Sequence, residues 1–150
     1  MNHIALLAPG IVGVVATFGT LLIHALPLST TVNFIRSEQR LGRVGVGFWL
    51  DARIVARSMS YALVAHLVEI GLWAVLFMIC GEFVDFRGAY YHSAVNYTSL
   101  GYGDIIMSPH WRLLGPLETA DGMLLFGVST AMIFAVIQRL VEARFADLRE

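Results

Sequence analysis

Residues 98 to 104 read Thr98-Ser99-Leu100-Gly101-Tyr102-Gly103-Asp104. Two hydroxyl side chains precede a pair of glycines spaced by one tyrosine, and a carboxylate follows. The chemistry open to such a stretch is cation binding by backbone oxygens. A row of carbonyls aimed at one axis can replace the water around a cation, but neither a helix nor a strand aims them so. Successive residues must alternate between left- and right-handed dihedrals, and glycine enters positive φ at little steric cost. Gly101 and Gly103, two apart, meet that need. The carbonyls of Ser99, Leu100, Gly101 and Tyr102 would then line a path, with the Ser99 hydroxyl as an innermost oxygen. Tyr102 would point outward and brace the loop against neighbouring helices, and Asp104 would attract cations at the mouth. Alone, a Gly-Tyr-Gly tripeptide is a turn; its surroundings decide.

Those surroundings are a membrane chain. The 150 residues are 57% hydrophobic and 14% charged, with a mean hydropathy of +0.71. That balance is too apolar for a soluble domain of this size. Ile4 to Leu26 holds no Asp, Glu, Lys or Arg over 23 residues and as a helix measures about 34 Å, enough to span. No basic segment precedes it and it is too long for a cleaved signal peptide, so it reads as a retained span. A second span runs from about Met59 to Cys80 and a third from about Leu117 to Leu140. Between them, Ala89 to Tyr97 is apolar and aromatic but too short to cross. It suits a re-entrant helix, since irregular backbone at membrane depth is tolerated where protein buries it or it lines water.

Arginine sets the orientation. All ten basic residues are Arg. Arg36, Arg40, Arg43, Arg53 and Arg57 lie between the first two spans, and Arg139, Arg144 and Arg149 follow the third. This side should be cytoplasmic, which puts the N-terminus and the 98–104 stretch outside. The expected organisation is an N-terminal helix over 1–27, an Arg-rich cytoplasmic linker over 28–57, a pore-type module over 58–145 and a short cytoplasmic tail at 146–150. Within the linker, Gly42 to Gly47 reads as a flexible connector, since its spacing is wrong for dinucleotide binding. Phe48 to Arg57 reads as an interfacial helix leading into the second span.

The 98–104 stretch resembles the selectivity filter of the potassium channel family, whose usual form is Thr-Val-Gly-Tyr-Gly-Asp. From Tyr91 to about Leu140 the chain is similar to that family's pore module. The resemblance implies an all-α membrane protein with three transmembrane helices, a re-entrant pore helix and an extended filter, assembled as a homotetramer. It places the outer helix at 58–80, the pore helix at 89–98, the filter at 99–104 and the inner helix at 116–145. It implies K+ ions held by Thr98, Ser99, Leu100, Gly101, Tyr102 and Gly103, with Asp104 at the outer mouth. No other cofactor is implied, and the partners are three further copies, lipid and K+. Glycines of the inner helix, Gly122 first and Gly127 second, are candidates for a gating hinge, with close helix packing as the alternative.

Three positions depart from the family pattern. Ser99 stands where Thr is usual and Leu100 where Val is usual. Val95 occupies a pore-helix position where some members carry a Glu that hydrogen-bonds the filter Asp, so Asp104 is expected to lack that partner. The first span is an addition to the two-helix plan. It has no arginine ladder, which excludes a voltage sensor of that kind. The residues after Leu140 are too few for an attached gating domain.

Titratable residues lie inside the spans, among them His66 and Glu69 in the second and Glu118 and Asp121 near the start of the third. His66 and Glu69, three apart on one helix face, read as a structural hydrogen bond or as a proton-sensitive element. Glu118, near the outer end of the inner helix, is placed to brace the pore helix from behind. His24 reads as an interfacial residue, and Trp49, Trp73 and Trp111 as interfacial or packing residues. The lone Cys80 forms no intrachain disulfide, and no His, Cys, Asp or Glu cluster has metal-ligand spacing along the chain. No nucleophile sits in a catalytic setting, so no enzyme is expected, and the net charge of -1 offers nothing to nucleic acid. The expected function is passive K+ conduction across a bacterial inner membrane. The alternatives are a weakly selective cation channel and a non-conducting membrane subunit.

Overall fold

The computed structural model describes residues 3–146. Four helices follow in order: α1 (His3–Arg40), α2 (Phe48–Ile79), α3 (Phe86–Tyr97) and α4 (Leu114–Ala146). No strand occurs among the described residues. Three of the helices are long and apolar enough to cross a membrane, over Leu7–Arg40, Phe48–Ile79 and Leu114–Ala146. Their outward faces carry Val15, Phe18, Leu22, Leu63, Leu124 and Phe134, all exposed, as suits helices whose solvent is hydrocarbon. The tail expected at 146–150 lies beyond the described residues after Ala146.

The first helix corrects the sequence reading. An end was expected at residue 27, where Pro27 follows the apolar run. α1 instead passes through Pro27 and continues to Arg40. A proline costs a helix one donor and a clash with the preceding turn, and here tertiary packing outweighs that. Ile35 is buried against Ile54 of α2 and Val136 and Leu140 of α4. The linker expected over 28–57 is thereby two helix extensions joined by a turn at 41–47. The turn is held down where Gly45 N–H donates to Asp51 Oδ1 at 3.0 Å, while Arg144 at the end of α4 pairs with Asp51 Oδ2.

α3 is short because its ends are capped by chemistry rather than by length of apolar sequence. Asp85 accepts from Gly88 N–H at 2.8 Å at its start, an N-cap that stabilises the first turn. Its Ala89, Ser93 and Tyr97 recur every four residues and are fully buried. That face is wedged between α2 and α4, with Ile70, Trp73 and Phe77 of α2 and Leu114 and Leu125 of α4 in the same core cluster. Side-chain contacts stitch α3 to both partners: Ser93 Oγ lies 2.8 Å from Ile70 O, and Thr119 Oγ1 of α4 donates to Asn96 O at 2.9 Å. A 12-residue helix about 18 Å long is thus fixed in place by its neighbours, and its C-terminal end delivers the chain into residues 98–104.

Candidate ion-conducting site

Thr98 caps α3, and its Oγ1 donates back to Ala94 O at 2.6 Å. Beyond it the backbone alternates. Ser99, Gly101 and Gly103 have φ of +62°, +58° and +71°, while Leu100 and Tyr102 between them do not. The two glycines take this conformation freely, whereas Ser99 carries a Cβ into it at a cost of about 1 kcal/mol or more. What holds it there is the last turn of α3. Ser99 N–H donates to Asn96 O at 2.9 Å, and Leu100 and Gly101 N–H both donate to Val95 O, at 3.0 and 3.2 Å. All peptides are trans, so each N–H aimed at α3 sends the carbonyl of the preceding residue the other way. The carbonyls of Thr98, Ser99 and Leu100 therefore face away from the helix that supports them.

Val95 offers Asp104 no side-chain partner, and Tyr91 of α3 supplies a different one, its hydroxyl donating to Asp104 Oδ2 at 2.8 Å. The Asp104 carboxylate in turn holds the Tyr91 phenol above its ordinary range. Val95 contributes through its backbone, accepting both N–H bonds described above. Tyr102 was expected to brace the loop against neighbouring helices. Within one chain it stands 67% exposed, and Leu100 is 57% exposed, so whatever packs on them comes from outside this chain. Behind the loop lies a cleft of about 450 Å³ bounded by Asn96, Met107, Arg112 and Thr119.

The glycines of α4 differ sharply. A Cβ on Gly122 would overlap the carbonyl oxygen of Tyr97 and stand 3.1 Å from its carbonyl carbon and Cγ, whereas Gly127 has nothing within 4 Å. At Gly122, α4 passes tightly against Tyr97, the residue before Thr98. Glu118, one turn earlier and fully buried, accepts from Ser93 Oγ of α3. The bracing expected of Glu118 acts on the middle of α3.

His66 and Glu69 belong to a larger cluster. His24, expected at an interface, is 2% exposed, with Nδ1 2.9 Å from Glu69 Oε1. The reason is position: Thr20 and His24 are four apart on α1 and share the face that meets α2 and α4. Thr20 Oγ1 and Trp73 Nε1 both donate to Asp121 Oδ2 of α4, at 2.8 and 2.9 Å. Tyr97, the residue before Thr98, donates its hydroxyl to Glu69 Oε2 and lies 2.9 Å from His66 Nδ1. Ser129 of α4 lies 3.1 Å from His66 Nε2 and 3.0 Å from His24 Nε2. The fold so brings together His24, His66 and Glu69 although no spacing along the chain announces them. Tyr97, Ser129, Thr20, Asp121 and Trp73 were not singled out for this role. The available signal was polar residues at helical spacing in an apolar span: Thr20 and His24, four apart, and Thr31, seven further on.

The sequence model of the ion channel family matches residues 63–139, from the middle of α2 through nearly all of α4 and more than half of the chain. No curated protein and no solved structure matches. The chain belongs to the ion channel family, as a pore module of the potassium-channel kind. It is a membrane protein, and α1 lies outside the matched region.

Proposed function

We propose that this protein conducts K+ passively through a four-fold filter formed by residues 98–104 of four identical chains, in a bacterial inner membrane with its N-terminus outside. The observation that supports this best is the alternation of φ at Ser99, Gly101 and Gly103, together with N–H groups turned into α3 and carbonyls turned out. One such strand cannot surround an ion. Four around an axis would offer rings of carbonyl oxygens from Thr98, Ser99, Leu100, Gly101 and Tyr102 in place of a hydration shell. The exposure of Leu100 and Tyr102 in the single chain fits side chains that meet a neighbouring copy. α3 points its C-terminal end, the negative end of its dipole, to the inner side of the filter, a favourable arrangement for a cation. Gly122 serves helix packing and Gly127, free of contacts, is the hinge candidate.

The replacement of Thr and Val by Ser99 and Leu100 favours one competing reading, a cation channel of weak selectivity. Purified protein in liposomes under a K+/Na+ gradient separates the two. Strong potassium preference places the reversal potential near the potassium equilibrium value, and barium blocks the current. A reversal potential near zero supports weak selectivity, and absence of flux supports a non-conducting subunit.

A further inference from the structure

We propose that His24, His66 and Glu69 form a binding site for a divalent transition-metal ion of the zinc or cobalt kind, behind the foot of the filter. The three offer one ligand atom each, all within 4.8 Å of one another, and all three are buried. His24 Nδ1 and His66 Nδ1 approach the two oxygens of Glu69 at 2.9 and 3.2 Å. Two imidazole nitrogens and a carboxylate suit zinc-like ions rather than calcium or magnesium, which prefer oxygen alone. Metal–ligand bonds of about 2.0–2.2 Å need only small movements from these separations.

The cluster closes into a ring of five contacts: His24 to Glu69, Glu69 to Tyr97, Tyr97 to His66, His66 to Ser129 and Ser129 to His24. Ligand atoms from two helices thus converge on one buried point, and a cation there would be held by all three side chains. Each histidine then gives its Nδ1 lone pair to the ion and keeps its proton on Nε2. Both Nε2–H groups reach Ser129 Oγ, which lies 3.0 and 3.1 Å from them and can accept both. Tyr97 donates to Glu69 Oε2. Such outer partners, fixing the tautomer of each ligating histidine, are the usual company of a protein-bound metal. Asp121, which accepts from Thr20 one turn before His24 on α1, keeps Oδ1 without a partner. A narrow cavity bounded by His24, Thr31, Ser58 and Ser129 lies against the cluster on the Pro27 side.

The ion would tie α1 to α2 and, through Glu69 and Tyr97, to the residue that precedes Thr98. That gives the helix outside the family match a task, fixing the foot of the filter. The consequence for conduction rests on the filter reading; the binding itself does not.

The test begins with the full chain purified in detergent without chelators. Elemental analysis should find about one zinc per chain by the stated stoichiometry of one site. After stripping with a chelator, cobalt added alone should produce a visible ligand-field absorption. His24→Ala and Glu69→Gln should abolish that spectrum, and Ser129→Ala, which removes no ligand, should weaken cobalt binding by about 10- to 100-fold. Unsubstituted protein that carries no zinc and gives no cobalt spectrum overturns the proposal, whatever the variants do. Cobalt absorption that persists in both His24→Ala and Glu69→Gln overturns it as well. Failure of the filter reading shows elsewhere, in the reversal potential, and leaves the cobalt spectrum unchanged.

Discussion

Replacing Gly122 by alanine tests how α4 supports the proposed filter at residues 98–104. The added methyl would overlap the Tyr97 carbonyl oxygen and press on the carbonyl carbon and Cγ of Tyr97 at 3.1 Å. The obstacle is mostly backbone, so no rotamer change relieves it. Carbon atoms pack best at about 3.5–4.0 Å, and α4 must therefore move away from the end of α3 by several tenths of an ångström or more. Overpacking of this kind costs about 1–3 kcal/mol. Alanine returns up to about 1 kcal/mol of helix propensity. The net expectation is a loss of up to about 2 kcal/mol from these two terms, or up to roughly a 30-fold shift in the folding equilibrium by the usual conversion. Because Tyr97 precedes Thr98 directly, the displacement falls on the filter. Gly122→Ala should lower the thermal stability of the assembled protein in detergent and reduce its potassium preference in liposomes. Gly127→Ala, with open space around it, should leave stability equal or raised. The reasoning is refuted if Gly122→Ala matches the native protein in melting temperature and selectivity while Gly127→Ala unfolds early.

Three other substitutions probe separate links. Tyr91→Phe removes the hydroxyl that holds Asp104 and should make sustained current decay faster after activation, measured in planar bilayers; an unchanged time course would show that the contact has no role in keeping the filter conductive. Ser93→Ala removes the donor to the buried Glu118 carboxylate and should cost about 1–3 kcal/mol, read as a lower melting temperature, with equal melting ruling out the brace. Cys80, just past the end of α2, has its thiol pushed above the ordinary range by burial and by the Glu82 carboxylate. Less thiolate is present at neutral pH, so maleimide labelling should be slow there, rise steeply with pH, and quicken in Glu82→Gln. An impermeant maleimide should reach Cys80 only from outside intact cells; labelling only in everted vesicles would reverse the proposed orientation.

Much of this was legible in the sequence because it is written in local terms. The alternation that Gly101 and Gly103 require, the short α3 and the three apolar helices all follow from composition and spacing. The remainder depends on contacts between distant residues. The first helix looked shorter than it is because its apolar run ends locally near residue 27, while the packing of Ile35 against Ile54, Val136 and Leu140 is not local. His24 looked interfacial because the residues that bury it, Glu69 and Ser129, lie 45 and 105 positions away. Val95 announced the loss of one partner for Asp104, but the donor that replaces it, Tyr91, sits one turn earlier and is seen only in the fold. Gly122 and Gly127 of α4 were both hinge candidates in the sequence, and the path of α3 past Gly122 separates their surroundings.

The central claim is that residues 98–104 form a potassium-selective pore. The most direct test is the reversal potential of the purified protein in a bilayer with potassium on one side and sodium on the other. The account predicts a value close to the potassium equilibrium potential, and loss of that preference in Gly101→Ala. A value near zero for the unsubstituted protein, or the same potential with and without the Gly101 substitution, would contradict it.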